Sequence, residues 1–421
     1  MRAAISGNVG LNALNPALYF LVALGAGFLA AWVLGPGPGT LPSLPVDAAE
    51  LFDPDDLAYW RDYRDRVRLI AVGGLVAELV LLAGLTFFRG RGIDRLLARL
   101  SSRVIIGPLV IGVGLAVALA LVGLPFSLLG WRTGVEFGLV TNPFTGWLTD
   151  QALALLVSAA LAGLAAVVAF WAWRRLGRHF WLALWAIAVV LALATAWLWP
   201  IVISPLFNRY QPIEDGPLKA DVERLAARTD TDFGGLYTVD SSRRSNAVNA
   251  YVTGVGSSRR VVIYDRVPEE LDRAELEVLI AHELAHVEAG DVLRAVAFVA
   301  LVAPFGALAI QRATSATLGR RGFGSRDPGV LLPLAFFTTI AVLLISIPGA
   351  WLSRQVETQA DERALELTGR PAAAIALQKR LTRENLGDPD PPPIYHAIFG
   401  THPPAVERIG IARSWRKEGR P

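Results

Sequence analysis

The chain contains no cysteine, and charged residues make up only 18% of its 421 residues. Without cysteine it forms no disulfides and offers no thiolate ligands, so a metal site must use His, Asp and Glu. An ordinary soluble protein has about 25% charged residues, and the mean hydropathy of this chain is +0.44. The low charge therefore predicts a protein whose solvent is largely the lipid bilayer.

The excess of positive charge is small, with a formal net charge of +3. It is spread over short loops, which is typical of membrane-flanking segments and not of a nucleic-acid surface. We therefore expect no nucleic-acid partner. Arginine outnumbers lysine 37 to 3, a bias that suggests a GC-rich bacterial genome and favours a bacterial cell membrane as the location.

Long apolar runs predict the membrane spans, because crossing the bilayer takes about 20 mostly apolar residues. The first run has the alternative of a signal-peptide core, but it begins late and is longer than a typical one. The sixth is interrupted by Pro304 and Gly306. Seven spans are predicted, at about 17–35, 68–88, 104–130, 151–173, 180–203, 292–311 and 328–352.

Residues 204–291 are polar and carry two β-rich runs, 249–253 and 260–264, separated by a predicted turn over 254–258. They predict a catalytic domain that the C-terminal segment 353–421 rejoins. The predicted fold is predominantly α: a polytopic seven-helix membrane protein with a small α+β domain built from the loop between spans 5 and 6 and the C-terminal segment. Its predicted parts are spans 1–5 with the N-terminal loops in 1–203, the catalytic segment 204–291, spans 6–7 in 292–352, and 353–421.

The sequence His282-Glu283-Leu284-Ala285-His286 predicts a metal site on a helix. Residues four apart lie on one helical face, so His282 and His286 can bind one Zn²⁺ together. Glu283 is rotated by about 100°, which lets it reach a water at the metal without being a ligand. Asp272 and Glu275 form a capping-box pattern that begins this helix. The alternative is that the two histidines lie on a solvated helix face and bind no metal.

A catalytic zinc needs a third protein ligand, which we expect to be a carboxylate on another helix. Glu357 is the candidate, since Asp361 follows one turn later and can orient a ligating histidine through its other ring nitrogen. The alternative is that Glu357 is a solvated helix carboxylate. The neighbouring Arg354 and Asp361, directly after a membrane span, argue against it.

These motifs resemble the integral-membrane CAAX prenyl protease type I family. The resemblance implies zinc ligation by His282, His286 and Glu357, and Glu283 as the general base. It implies cleavage of the C-terminal CAAX tripeptide from a prenylated protein; in a bacterium, other membrane-associated peptides are the better expectation. It rests on the seven-span pattern, the zinc helix, Leu124-Pro125-Phe126, Thr145 to Asp150, Pro205 to Asn208, Asn249-Ala250-Tyr251, Glu357 with Asp361, and His402 to Arg408.

The resemblance also implies that the strand around Asn249 pairs with the substrate backbone, and that His402 and Arg408 lie near the substrate or the developing oxyanion. Asn246 also precedes an alanine and is the alternative to Asn249. Apart from the resemblance, the His-Pro-Pro run at His402 is equally well a simple turn. The expected partners are a membrane-associated peptide or protein and the lipid bilayer.

Two other functions remain open: a transporter, and a proteolytically silent membrane scaffold. Apart from Glu78, the predicted spans hold almost no ionisable residue away from their ends, which argues against a transport pathway. Arginine counts in the short loops 89–103, 174–179 and 311–327 place those loops inside and the catalytic domain outside. The resemblance implies a cytoplasmic catalytic domain, and this is the side that we expect.

Overall fold

A computed structural model describes residues 15–37, 39–229, 231, 234–254, 259–321 and 327–419. Of the turn predicted over 254–258, only Gly254 lies within the described residues. The first seven helices are α1 Pro16–Leu34, α2 Pro54–Ala83, α3 Arg91–Leu100, α4 Ile106–Glu136, α5 Phe144–Leu176, α6 Phe180–Leu198 and α7 Ser204–Phe207. The later ones are α8 Pro217–Arg228, α9 Val267–Glu270, α10 Arg273–Glu288, α11 Asp291–Arg321, α12 Leu331–Thr368, α13 Pro371–Glu384, α14 Pro393–Phe399 and α15 Ala405–Lys417.

Six helical stretches of the described chain are long and apolar enough to cross a membrane, so the predicted count of seven is wrong. The predicted fourth and fifth spans share one stretch because only three residues of 3-10 helix, Gly177–His179, join α5 to α6. The rest of the predicted fold class, a mostly helical multi-pass membrane protein with a small sheet, is confirmed. The six stretches are Pro16–Leu34, Pro54–Phe88, Ile106–Glu136, Phe144–Leu198, Asp291–Gly319 and Pro328–Thr368.

Small residues let the membrane helices approach closely. A Cβ atom at Gly112 of α4 would lie 2.4 Å from the carbonyl oxygen of Ala162 in α5. A Cβ at Gly27 of α1 would lie 2.6 Å from Cγ of Pro348 in α12. Small residues at helix contacts are common in membranes, where packing must replace the hydrophobic effect as the driving force between helices.

A four-stranded sheet, in the order β1-β2-β4-β3, stands beside α10. Its inner face is apolar, and Val261, Ile263 and Leu284 are fully buried in the core between the sheet and the helices. Strand β2 is parallel to β4, whereas β3 is antiparallel to β4 and forms the edge of the sheet in the described part of the chain. The strands are β1 Tyr210–Pro212, β2 Leu236–Val239, β3 Ala250–Thr253 and β4 Arg260–Tyr264.

The long helix α12 carries the chain from the membrane into the catalytic region and ends at Gly369, whose φ of 64° is left-handed. The loop between α1 and α2 crosses this helix. There the backbone N–H groups of Thr40 and Leu41 both donate to the buried carboxylate of Glu362. Leu41 itself is buried against Ile411 of α15. The loop between α1 and α2 therefore holds α12 and α15 in place beside α10, the helix that carries His282 and His286.

Candidate active site

Helix α10 presents the two predicted histidines to the interior of the catalytic region. It begins with the predicted capping box, in which Asp272 accepts from the N–H of Glu275 and the Glu275 carboxylate accepts from the N–H of Asp272. His282 is buried and His286 is partly buried. Their Nε2 atoms lie 3.2 Å apart. The helix therefore brings two potential ligand atoms to one point.

Glu357 of α12 faces the same point. Its Oε2 lies 3.3 Å from Nε2 of His282, and its Oε1 lies 3.6 Å from Nε2 of His286. Single ligand atoms from these three residues all lie within 4.8 Å of one another. Oε2 of Glu357 is buried without a hydrogen-bond partner in the described structure. A buried carboxylate oxygen in that position fits a cation, which would compensate its lost hydration.

Two further carboxylates fix the histidine rings. Asp361 lies 3.0 Å from Nδ1 of His282, and Asp291 lies 2.8 Å from Nδ1 of His286. A proton held on each Nδ1 leaves the two Nε2 lone pairs directed at each other. The two lone pairs repel each other unless a proton or a metal ion lies between the nitrogens, so the residues fit a bound metal ion.

Asp361 was predicted from the sequence, whereas Asp291 was not. Asp291 is the first residue of α11 and follows Gly290, whose left-handed φ of 68° turns the chain back toward the histidines. Arg294 donates to the other oxygen of Asp291. The spacing of Asp291 from His286 is the only sequence signal, and it becomes visible only once the turn at Gly290 is known.

Burial and neighbouring charges alter the titration of α10. Burial disfavours the charged form of His282, but the adjacent carboxylates of Asp361 and Glu357 outweigh this and raise its pKa to about 10. A metal ion would have to displace that proton, so its binding depends on pH. Burial also raises the pKa of Glu283, which moves this carboxyl toward the range suited to a general base.

Glu283 lies between the metal site and the edge strand. Its Oε2 accepts from the backbone N–H of Val252 in β3, at 3.3 Å. Asn249, directly before β3, is exposed and lines the cavities on both sides of the site. Asn246 instead donates its side-chain amide to the carbonyl of Gly138. Of the two asparagines, Asn249 is thus the one that lines the cavities beside the metal site.

His402 lies over the metal site from the loop before α15. Its Nε2 is 3.3 Å from Oε1 of Glu357, and its side chain remains 60% exposed. Its carbonyl oxygen lies 2.8 Å from Nε2 of His396 in α14. No role for His396 follows from the sequence, but in the structure His396 supports the loop that carries His402.

Arg408 was predicted to lie near the substrate or the developing oxyanion, and its side chain is largely buried behind His282. Its guanidinium binds both carboxylate oxygens of Asp361, and its Nη2 is 3.5 Å from Nδ1 of His282. It therefore acts on the metal ligand through Asp361. Arg408 also lines the smaller cavity beside the site, so it borders the space that a substrate would enter.

Two cavities of different size flank the metal site, and His282, Glu283, Asn249 and His402 line both. One, of about 660 Å³, extends along the first turns of α11 and the middle of α12. The other, of about 90 Å³, lies against α13 and α15. The larger one is lined mainly by apolar side chains, among them Leu293, Phe298, Val299, Leu352 and Val356.

The structure thus brings together all eight predicted site residues around one point. His282, His286 and Glu357 form a potential metal centre, with Asp361 behind it. Glu283, Asn249 and His402 face the adjoining cavities, and Arg408 supports Asp361. This arrangement can hold a divalent cation, accept a proton next to it, and present an extended chain along β3.

Comparison with known proteins agrees with this geometry. The family model of peptidase family M48 matches residues 212–416, which include the whole metal site. A second model, described as CAAX prenyl protease N-terminal, five membrane helices, matches residues 40–209. The two matches follow one another along the chain in the order of the membrane and catalytic segments.

Individual relatives show the same relationship. The uncharacterized metalloprotease YhfN of Bacillus subtilis is 29% identical over 301 residues, which are 70% of each chain. The CAAX prenyl protease 1 homolog of Arabidopsis thaliana is 34% identical over 239 residues, and the match spans 55% of this chain and 56% of that relative. The crystal structure of S. mikatae Ste24p superposes with a TM-score of 0.76 at 20% identity, over 94% of this chain and 98% of that one.

The last similarity shows the fold alone, because the identity is only 20%, and the family models show the family. His282, Glu283 and His286 of α10 fall inside the M48 match. The membrane-crossing stretches from Pro54 to Leu198 fall inside the CAAX prenyl protease N-terminal match. The chain therefore belongs to peptidase family M48 and is a multi-pass membrane metallopeptidase.

Proposed function

We propose that this protein is a zinc-dependent endopeptidase that cleaves membrane-associated protein substrates, with Glu283 as its general base. One observation carries the proposal. Ligand atoms of His282, His286 and Glu357 lie within 4.8 Å of one another, and the Glu283 carboxylate stands next to them at the edge of β3. Two imidazoles and one carboxylate are a ligand set typical of catalytic zinc.

Each residue of the site has a separate role in the proposed peptide hydrolysis. Zinc, when bound, polarises the scissile carbonyl and lowers the pKa of a coordinated water. Glu283 takes the proton from the attacking water and delivers it to the leaving amine. His402, exposed above the metal ligands, donates to the developing oxyanion. Asn249 and β3 hold the substrate backbone in an extended form beside these groups.

The larger cavity supports a substrate that is attached to the membrane. Its walls include the first turns of α11, and this helix begins a membrane-crossing stretch at Asp291. Leu293 in that wall is 59% exposed. An apolar cavity that borders the bilayer suits an apolar or lipid-bearing segment. Relatives named CAAX prenyl protease make CAAX-type proteins one such substrate class.

The two rival functions account for less of the structure. A cavity of about 1030 Å³ lies among the spans, but Glu78 is the only ionisable residue among the described residues that line it. A transport pathway would be expected to carry more polar groups. A silent scaffold would not need a carboxylate beside an intact metal-ligand set.

Removal of the metal is expected to abolish cleavage of a membrane-anchored peptide, and added zinc is expected to restore it. The reason is that a metal held by His282, His286 and Glu357 would polarise the scissile carbonyl and lower the pKa of the attacking water, and Glu283 alone cannot replace this effect. Purified protein in liposomes is treated with a chelator and then titrated with zinc, and the products are followed by mass spectrometry.

The same peptide without its lipid anchor is the matched control. We expect slower cleavage of the free peptide, because it cannot place an apolar group in the larger cavity. Equal rates for the two peptides would contradict a membrane-associated substrate. Cleavage that persists after complete removal of the metal would contradict the zinc mechanism.

We also propose that the catalytic region faces the cytoplasm of a bacterial cell. The loop before α5 lies on the catalytic side, since the N–H of Thr141 donates to the carbonyl of Arg244. Leu97 of α3 packs in another cluster, with Val330 and Phe180, at the opposite end of the spans. Loop 89–103 and the catalytic region are therefore expected on opposite sides of the membrane.

Single cysteines in this cysteine-free chain test the orientation. Ser101→Cys and Glu214→Cys are both at exposed positions, one at each end. In intact cells, a membrane-impermeant thiol reagent is expected to label Ser101→Cys and to leave Glu214→Cys unlabelled until lysis. The reverse pattern would place the catalytic region outside, as the arginine count in the loops indicates.

A further inference from the structure

The register of β3 determines which backbone groups a substrate can reach. The N–H of Tyr264 in β4 donates to the carbonyl of Asn249, and Ala250 pairs with Ile263. Hydrogen-bonded and non-hydrogen-bonded pairs alternate along an antiparallel ladder. Residues 249, 251 and 253 therefore bond to β4, whereas residues 248, 250 and 252 direct their N–H and C=O groups to the open edge.

The two ends of this open edge differ. At one end, the N–H of Val252 contacts Glu283, the proposed base. At the other, the side chain of Asn385 occupies both backbone groups of Val248. Its Oδ1 accepts from the N–H at 2.9 Å, and its Nδ2 donates to the carbonyl at 3.0 Å. The Asn385 side chain thus occupies the backbone hydrogen-bonding position at Val248 that a bound strand would otherwise use.

Asn385 is held firmly in this position by a membrane helix. Arg64 of α2 donates to the carbonyl oxygens of Asn385 and Leu386, each at 2.6 Å. Leu386 has a left-handed φ of 47°, and the N–H of Gly387 returns to the carbonyl of Thr382. These bonds end α13 tightly, so its last turn forms a fixed barrier beside Val248.

The space on this side of the metal site is also small. The cavity of about 90 Å³ is lined by Leu377, Gln378 and Leu381 of α13, the helix that Asn385 ends. The cavity on the other side is about 660 Å³. The substrate channel is therefore open beyond Val252 and restricted toward Val248.

We propose that Asn385 closes the substrate-binding edge of β3 and limits how many residues a substrate can extend beyond the cleaved bond. This inference rests on the proposed peptidase function. Antiparallel pairing is the more stable arrangement, and it directs the carboxyl end of the substrate toward Val248. Val248 and Val252 are four positions apart along the strand, a distance of about 13 Å. Substrates are thus cut within about four residues of their C-terminus.

A series of peptides tests the limit. The peptides share one scissile sequence and one membrane anchor, and they carry roughly two, four or eight residues after the cleaved bond. For the wild-type protein, we expect kcat/KM to fall at least about tenfold when the longest extension replaces the shortest. For Asn385→Ala, we expect the three values to become similar.

Arg383→Ala is the matched control, since Arg383 is an exposed residue in the last turn of the same helix. It should retain the wild-type dependence on length. If Asn385→Ala fails to fold, Asn385→Ser keeps a polar side chain while opening the edge. A general structural defect would lower kcat/KM for all peptides alike, so the ratio between long and short peptides isolates the closing role.

Two results would count against the proposal in different ways. Length-independent cleavage by the wild-type protein, or the same length dependence in wild type and Asn385→Ala, would overturn this inference alone. Failure of the wild-type protein to cleave any peptide of the series would overturn the proposed function, and this inference with it.

Discussion

Replacement of Glu283 by glutamine is expected to lower kcat by at least about 100-fold while the protein keeps its metal. Glutamine has nearly the same shape and can still accept from the N–H of Val252, as Glu283 does at 3.3 Å. It cannot take a proton from the attacking water. Steady-state kinetics on an anchored peptide, with metal content measured by elemental analysis, give the two quantities.

Glu288→Gln is the matched control for this experiment. Glu288 ends the same helix, but its carboxylate pairs with Arg363 and does not face the metal ligands. We expect its activity to remain close to that of the wild type. Activity of Glu283→Gln at the wild-type level would eliminate Glu283 as the base.

Removal of the third ligand, by Glu357→Ala, is expected to reduce both metal content and activity severely. Asp361→Asn should act more mildly, with losses of about 10- to 100-fold, since it leaves all three metal-facing ligands in place and removes a charge that orients His282. The distances support this order, because Glu357 lies 3.3 Å from the metal-facing nitrogen of His282, whereas Asp361 contacts the opposite nitrogen. Zinc affinity measured by competition with a chelator distinguishes the two effects.

Glu366→Ala serves as the control on the same helix, because Glu366 pairs only with the neighbouring Arg363 in the described structure. Asp361→Asn also leaves Arg408 without a charged partner, so its thermal stability must be measured alongside its zinc affinity. Full zinc affinity in Glu357→Ala would mean that another residue is the third ligand, and His402 would be the next candidate.

The sequence predicted the parts of the site that local spacing determines. His282, Glu283 and His286 follow from helical periodicity, and the capping box at Asp272 shows where that helix begins. Glu357 and Asp361 follow because they are one turn apart on the helix that continues a membrane span. In each case the signal is the 3.6-residue repeat, which requires no knowledge of the tertiary fold.

Contacts between distant segments could not be predicted in this way. Asn385 meets Val248 across 137 residues, and Thr40 meets Glu362 across 322. Neither contact leaves a periodic pattern, because it depends on how the helices pack. The count of membrane spans failed for a related reason: a three-residue turn between α5 and α6 breaks the hydropathy pattern but not the helical stretch.

The central claim is that a bound metal and the Glu283 carboxylate act together. The most direct test measures zinc content and turnover on the same preparations of wild-type protein and Glu283→Gln. We expect about one zinc per chain in both, since His282, His286 and Glu357 are intact in each, and peptide cleavage by the wild type alone. Zinc-free wild-type protein that cleaves the peptide, or zinc-loaded Glu283→Gln that cleaves it equally fast, would contradict the account.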